Sequence, residues 1–242
     1  MPAHTPPHWD LTNVYPSLSS KQYTADFEKL SKLITEQEKY LDESVSKINI
    51  NAPATKIAET ATQLVERFNQ ILVLAGTLRA FLESFISTDS YNKEALKKQS
   101  EYEMVGVKLD QVEIKTRAWI GSVSSRLDEF LALNPMLQAH QFYLKEAAEQ
   151  SHYLMSPAEE SLASELNLSG GNAWSKLQGT VTSQLSVDFE LDGKLQKLPM
   201  PALINMRSHP DEDVRRRAYE AENKAWDTVK EPLAAAMNGI KG

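Results

Sequence analysis

Apolar residues recur every three or four positions along most of this 242-residue chain, the period of helices with one buried face. From about Lys21, residues Tyr23, Phe27, Leu30, Ile34, Leu41, Val45 and Ile48 fall three, four or seven apart. They predict a first long helix, which Asn51-Ala52-Pro53 ends while starting the next. The second helix has the most regular pattern. Ile57, Ala61, Leu64, Phe68, Ile71, Ala75, Leu78, Leu82 and Phe85 alternate spacings of four and three without a miss, a heptad-like seam. Ser87-Thr88-Asp89-Ser90 then offers capping residues. Tyr91, Ala95, Tyr102, Val105, Leu109, Val112 and Trp119 resume the spacing, with polar Lys98 and Thr116 interposed. Two such helices joined by a short loop predict an antiparallel hairpin over residues 53–120, about 45 Å long at 1.5 Å per residue. The seam competes as a self-association surface, but an adjacent helix offers an intramolecular partner, which favours core packing.

Beyond Gly121 the predicted helices shorten. Ser124 to Leu133 is closed by Asn134-Pro135, and Met136 to Glu149 follows. Ser156-Pro157-Ala158-Glu159 is a helix start: serine as N-cap, proline in the first turn, and glutamate three residues on to complete a capping box. That helix ends near Leu168, where Ser169-Gly170-Gly171 would permit positive φ, and Asn172-Ala173-Trp174 opens a further short helix. The pattern then changes period. Leu185, Val187, Phe189 and Leu191 alternate with Ser186, Asp188 and Glu190, the signature of a half-buried strand. Asp192-Gly193 is a favoured two-residue turn and Lys194 to Leu198 the return strand. A short helix to Arg207 follows, then a long helix whose first turn carries Asp211, Glu212 and Asp213, suited to the positive end of the helix dipole. Pro232 starts or kinks its last segment. The expected fold is mainly α: a long antiparallel helical hairpin plus shorter helices, with one small β-hairpin near residues 181–198. Residues 1–20 read as an irregular N-terminal segment, 21–150 as a helical domain, and 151–242 as a helical region with the hairpin. In the first of these, Trp9, Leu11, Val14 and Tyr15 carry enough apolar surface to dock on the helices.

Composition narrows the function. With 9 glycines and 11 prolines, five of the latter before residue 54, long uninterrupted helices are favoured. The net charge of −7, from 26 basic and 33 acidic residues, argues against a nucleic-acid surface, which needs a basic stripe. Cysteine is absent, so disulfides, thiolate nucleophiles and cysteine-ligated zinc are excluded. The start of the chain lacks the charged and apolar regions of a signal peptide, and Ile71 to Ala75, the longest purely apolar run, is far too short to span a bilayer. These features predict a cytoplasmic protein with no membrane partner.

Candidate chemistry is sparse. His4, His8, His140, His152 and His209 form no His-Glu-x-x-His pattern. His4 and His8 are four apart, but two prolines lie between them and forbid a helix. No phosphate loop, Gly-x-Ser-x-Gly elbow or calcium loop is present. Glu159-Glu160 and Asp211-Glu212-Asp213 sit at helix starts, where capping explains them. His152, beside Tyr153 and Glu149, suits a solvated helix end, and His209 before Pro210 a turn. Arg215, Arg216 and Arg217 fan around a helix, as a salt-bridged face would, with anion binding the competing reading. No catalytic, metal or cofactor residue is therefore assigned.

The chain nevertheless resembles a known family, the oligoendopeptidase F group of zinc metallopeptidases within the wider thimet-oligopeptidase-like clan. The resemblance begins at Trp9-Asp10-Leu11 and Tyr15-Pro16. It continues through His152-Tyr153-Leu154-Met155-Ser156-Pro157-Ala158-Glu159-Glu160 and Ser169-Gly170 to Trp174. It is most specific at Asp211-x-Asp213-Val214-Arg215-Arg216-x-Ala218-Tyr219-Glu220, followed by Leu233 to Gly242. This implies a mostly helical peptidase that cuts short peptides in a deep cleft, with zinc on a His-Glu-x-x-His helix and a further glutamate ligand. In the family those residues lie well beyond position 242, so none is carried over. The expectation is an N-terminal, non-catalytic fragment forming a wall of the peptide channel, with zinc and the catalytic domain belonging to the full-length parent. A non-enzymatic helical interaction module, holding a partner through the 57–85 seam or the hairpin edge, is the alternative.

Overall fold

The structure, a computed structural model, describes residues 10–241. His4, His8 and Trp9, singled out above, lie outside the described residues. The chain divides into two compact units, Met1–Ser164 and Glu165–Gly242.

The first unit is built on three long helices. Helix α1 (Lys21–Glu43) starts where Ser20 Oγ accepts the Tyr23 N–H at 3.2 Å. A 3-10 turn, Val45–Lys47, ends it. Helix α2 (Ala54–Thr88) follows Pro53, and α3 (Lys93–Ser122) is capped by Asn92, whose Oδ1 accepts the Ala95 N–H at 3.0 Å. The cap thus falls two residues later than the Ser87–Ser90 run suggested. Tyr91, expected in the seam, is consequently in the loop and 65% exposed. The rest of the α2 seam is as predicted: Ile57, Ala61, Leu64, Phe68, Ile71, Ala75, Leu78 and Leu82 are all buried, and Phe85 is half-buried. α2 and α3 run antiparallel. Tyr102 Oη, in the first half of α3, donates to the Ala75 carbonyl in the second half of α2 at 3.0 Å, and Arg126 just past α3 donates to the Ile50 and Ala52 carbonyls just before α2.

α1 completes the bundle. Lys115 of α3 reaches Glu38 and Asp42 at 3.1 and 3.0 Å, and Trp119 Nε1 donates to the Ile48 carbonyl at 2.8 Å. The segment before α1 docks as expected for Tyr15. Its ring meets Tyr23 and Phe81 edge-on at 5.4 and 5.1 Å, and its hydroxyl donates to Asp26 at 2.8 Å. Val14, in contrast, is 42% exposed. Burial pushes the Tyr23 phenol up to about 12.

Shorter helices close the unit. The single helix expected over 124–133 is a 3-10 turn, Ser124–Arg126, followed by α4 (Leu127–Leu131). The one expected over 136–149 is split into α5 (Pro135–Ala139) and α6 (Gln141–Gln150). His140 makes that break: its ring bonds the Met136 carbonyl at 2.9 Å and Asn69 of α2 at 3.1 Å. By length and composition α2 would also span a membrane, with a mean hydropathy of 1.5 over its most apolar stretch. Here its seam instead packs into the core formed with α1 and α3.

Helix α7 (Pro157–Ser169) opens with the predicted capping box, in which the Ser156 N–H donates to Glu159 at 2.9 Å and the Glu159 N–H to Ser156 Oγ at 3.4 Å. Gly170 and Gly171 do not take positive φ; among the described residues only Asp192 and Gly193 do. α8 (Gly171–Gln184) begins at once instead, and a Cβ at Gly171 would displace the Asn167 side-chain amide, whose Oδ1 would lie 2.7 Å away. Strands β1 (Ser186–Leu191) and β2 (Lys194–Pro199) pair antiparallel, Leu191 opposite Lys194 and Val187 opposite Leu198. α9 (Met200–Asn205) leads to α10 (Glu212–Lys241), which runs through Pro232 rather than starting there. Phe189, Met200, Leu203, Val214, Ala218 and Ala225 form the buried core of the second unit.

Replacing Ile71 by alanine should destabilise the first unit by about 2–5 kcal/mol, because a buried seam position loses both transfer energy and packing. Val73→Ala, on the 72% exposed opposite face, should stay within about 0.5 kcal/mol. Urea unfolding followed by far-UV circular dichroism measures both.

Candidate functional site

The most specific stretch of sequence, Asp211 to Glu220, folds as the start of α10 and as a clamp on the hairpin. Asp211 Oδ1 accepts the Asp213 N–H at 2.8 Å, satisfying one of the free donors of the helix terminus. The Asp211 N–H in turn donates to His209 Nδ1 at 3.1 Å, so His209 is a turn residue. The three arginines divide their work. Arg215 donates to the His209 and Pro210 carbonyls at 2.7 and 2.8 Å, tying down the loop. Arg216 pairs with Asp213 and lies 3.8 Å from Glu220. Arg217 bonds Asp213 at 2.9 Å and the Glu190 carbonyl at 2.9 Å, with its guanidinium 5.4 Å from the centre of the Phe189 ring. Hydrogen bonds from Arg216, and then Arg217, hold the Asp213 carboxyl below its usual range. Every arginine of the run is engaged, as a salt-bridged face requires.

A second ion pair lies one helical turn beyond. Arg207 grips Glu222 through two bonds of 3.0 and 2.5 Å, and Trp226 Nε1 donates to the same carboxylate at 3.2 Å. The Glu222 side chain is 6% exposed and that of Arg207 55%, so a buried carboxylate is neutralised from the surface. The Arg207 bond pulls the Glu222 pKa down, burial opposes it, and the Trp226 bond adds to the lowering. Sequence reading did not single out this pair. Its signal is weak: an arginine and a glutamate fifteen apart, separated by a turn. Farther along, α10 approaches α8 so closely at Gly239 that a Cβ there would meet the Trp174 indole. This accounts for the tryptophan that closes the Gly170–Trp174 segment.

Between β1 and α10 lies a groove of about 520 Å³, bordered by Ser186, Asp188, Glu190, Arg217, Ala221 and Lys224. The turn sets the phase of the strand beside it. Asp192 and Gly193 have φ of 52° and 71°, a two-residue turn that makes Leu191 and Lys194 a hydrogen-bonded pair. Odd-numbered residues of β1 therefore bond to β2, and the backbone groups of Ser186, Asp188 and Glu190 point outward. The Arg217 bond to the Glu190 carbonyl agrees with that phase, as does the Met200 N–H bond to the Leu185 carbonyl. In the first unit, a cleft of about 940 Å³ lies between Leu11, Thr12 and Tyr15 and residues Phe81, Ser84 and Phe85 of α2, mostly apolar in lining, with Asp10 and Asp89 also bordering it.

No group of three histidine, aspartate or glutamate side chains among the described residues is arranged to hold a metal. His140 is spent on Met136 and Asn69, and His152 is exposed. The residues present thus do not fit the zinc that the resemblance implies for the whole peptidase, and no catalytic step is built on them.

The lowered Glu222 pKa has a defined sign in stability. Its contribution is complete above the ordinary glutamate range and is lost as pH falls through the lower folded-state value. The midpoint of urea unfolding should therefore fall as pH drops through and below that range. Glu222→Gln, which keeps an acceptor for Trp226, should show a shallower fall over the same interval.

Residues 124–186, from the 3-10 turn before α4 to the first residue of β1, match the family described as Oligopeptidase F. The chain is also similar to Oligopeptidase PepF of Bacillus subtilis (strain 168), with 22% identity over 241 residues, covering 96% of this chain and 33% of the relative. It thus spans about a third of the length of the curated relative it matches. No solved structure matches it. The resemblance drawn from the sequence agrees with these matches, which make the chain similar to oligopeptidase F proteins.

Proposed function

We propose that this domain serves a zinc peptidase that hydrolyses short peptides, as a non-catalytic wall of the channel that receives them. The observation that carries this reading is the near-complete coverage of the chain by a relative named as an oligopeptidase, of which it spans 33%. The 242 residues contain no His-Glu-x-x-His, and their described histidines serve loops and helix ends. The catalytic metal, the water it activates and the glutamate base then belong to polypeptide outside these residues. What this chain contributes is a rigid helical surface and a strand edge, held in place by buried side chains and ion pairs.

Two measurements on the purified 242-residue chain test the reading. Incubated with a quenched fluorescent short peptide and zinc, it should release no fluorescence, and metal analysis after gel filtration should find no stoichiometric zinc. Zinc-dependent cleavage by this chain alone would sink the proposal.

A further inference from the structure

We infer that the groove between β1 and α10 takes an extended peptide segment, which adds beside β1 as a third strand and carries basic residues on its solvent face. The inference rests on the reading of the chain as a wall of a peptide channel, and it says where on that wall a peptide is held. Three features lead to it. The first is the phase of the strand. The outward backbone groups of Ser186 and Asp188, and the outward N–H of Glu190, have no backbone partner among the described residues. They repeat every second residue, about 6.6–6.8 Å apart, the repeat of another extended chain and not of a helix.

The second feature is the wall. The other free edge of the hairpin, on β2, is open to solvent and bears Lys197, a common device against edge pairing. The β1 edge instead faces Arg217, Ala221, Lys224 and Thr228 of α10, spaced four, three and four along one side of the helix. Ala221 leaves room in the middle of that row. Arg217 occupies the Glu190 carbonyl at one end, which ties that end of the edge to the helix and leaves the outward groups from Ser186 to the Glu190 N–H beside it.

The third feature is charge. On the solvent face Asp188 stands opposite Lys197 across the ladder and Glu190 opposite Leu195, and neither carboxylate makes a hydrogen bond or an ion pair within 4.0 Å among the described residues, so Glu190 is the less balanced of the two. A strand laid alongside places its own solvent-face side chains next to them, where opposite charges are favourable and like charges are not. Lysines at alternate positions of the added segment meet that requirement, and small residues between them fit above Ala221.

The probe is a fluorescein-labelled octapeptide of alternating lysine and threonine, titrated with the purified 242-residue chain and followed by anisotropy. It should bind, and a glutamate–threonine analogue should bind about tenfold more weakly. N-methylation of one alternate set of amides should weaken binding by about tenfold or more, while methylation of the other set should change it less than about twofold. Loss through the lysine amides indicates antiparallel addition, loss through the threonine amides parallel addition, and either supports the inference. Asp188→Pro removes an outward N–H and leaves the ladder to β2 intact, because Asp188 is out of phase with it. That variant should keep its far-UV spectrum and lose about tenfold in binding. Binding that tolerates both methylated sets and Asp188→Pro overturns the strand-edge inference while the channel-wall reading stands. Absence of binding to every peptide overturns both.

Discussion

The first unit depends on the seam of α2. A 35-residue helix that places an apolar side chain at every third or fourth position must cover one continuous stripe about 50 Å long. No single short helix can do so. α1 and α3 together supply the length, and α4 and α5 cover the end that they leave bare. The polar contacts of the unit sit around this stripe and set its register. Tyr102 bonds a carbonyl in the second half of α2, Trp119 and Arg126 hold the loop before it, and Lys115 joins α3 to α1. Each is worth little alone compared with the buried apolar surface, but each fixes where along the stripe a helix can rest.

The second unit solves a different problem. A two-stranded ribbon is marginal in water, and here it is stabilised by laying the odd face of β1 on α10 through Phe189. Arg217 then ties the strand edge to the second turn of the helix, and the Arg207–Glu222 pair fixes the turn before the helix against its third. The Asp211–Glu220 stretch is thereby explained as structural. Its residues hold a hairpin at a set height above a helix, and the groove beside β1 is the product of that height.

How far the sequence was legible follows the range of the interactions. The α2 seam, the Ser156–Glu159 capping box and the Asp192-Gly193 turn are local, and each was readable from spacing and residue type. Misreadings arose where several local signals competed or a distant partner decided. Tyr91 continued the apolar period but fell outside α3 because Asn92 caps it. His140 broke a predicted helix because its ring reaches Asn69 on α2. The glycines after Ser169 were read as a left-handed turn, whereas neither takes positive φ and α8 follows α7 almost at once.

Sequence alone therefore determined the helical class, the long hairpin, the single β-hairpin and the family resemblance, since periodicity, caps and turn chemistry act within a few residues. It offered no catalytic assignment, because no His-Glu-x-x-His pattern occurs in the 242 residues. Only the tertiary structure decided what Arg207, Glu222 and the arginine run do. Their partners lie on other elements, and a salt-bridged helix face looks the same in sequence whether it is solvated or clamped to a strand. The outward phase of β1 stands between these cases. The Asp-Gly turn sets it locally, but only the placement of α10 turns a free edge into a groove.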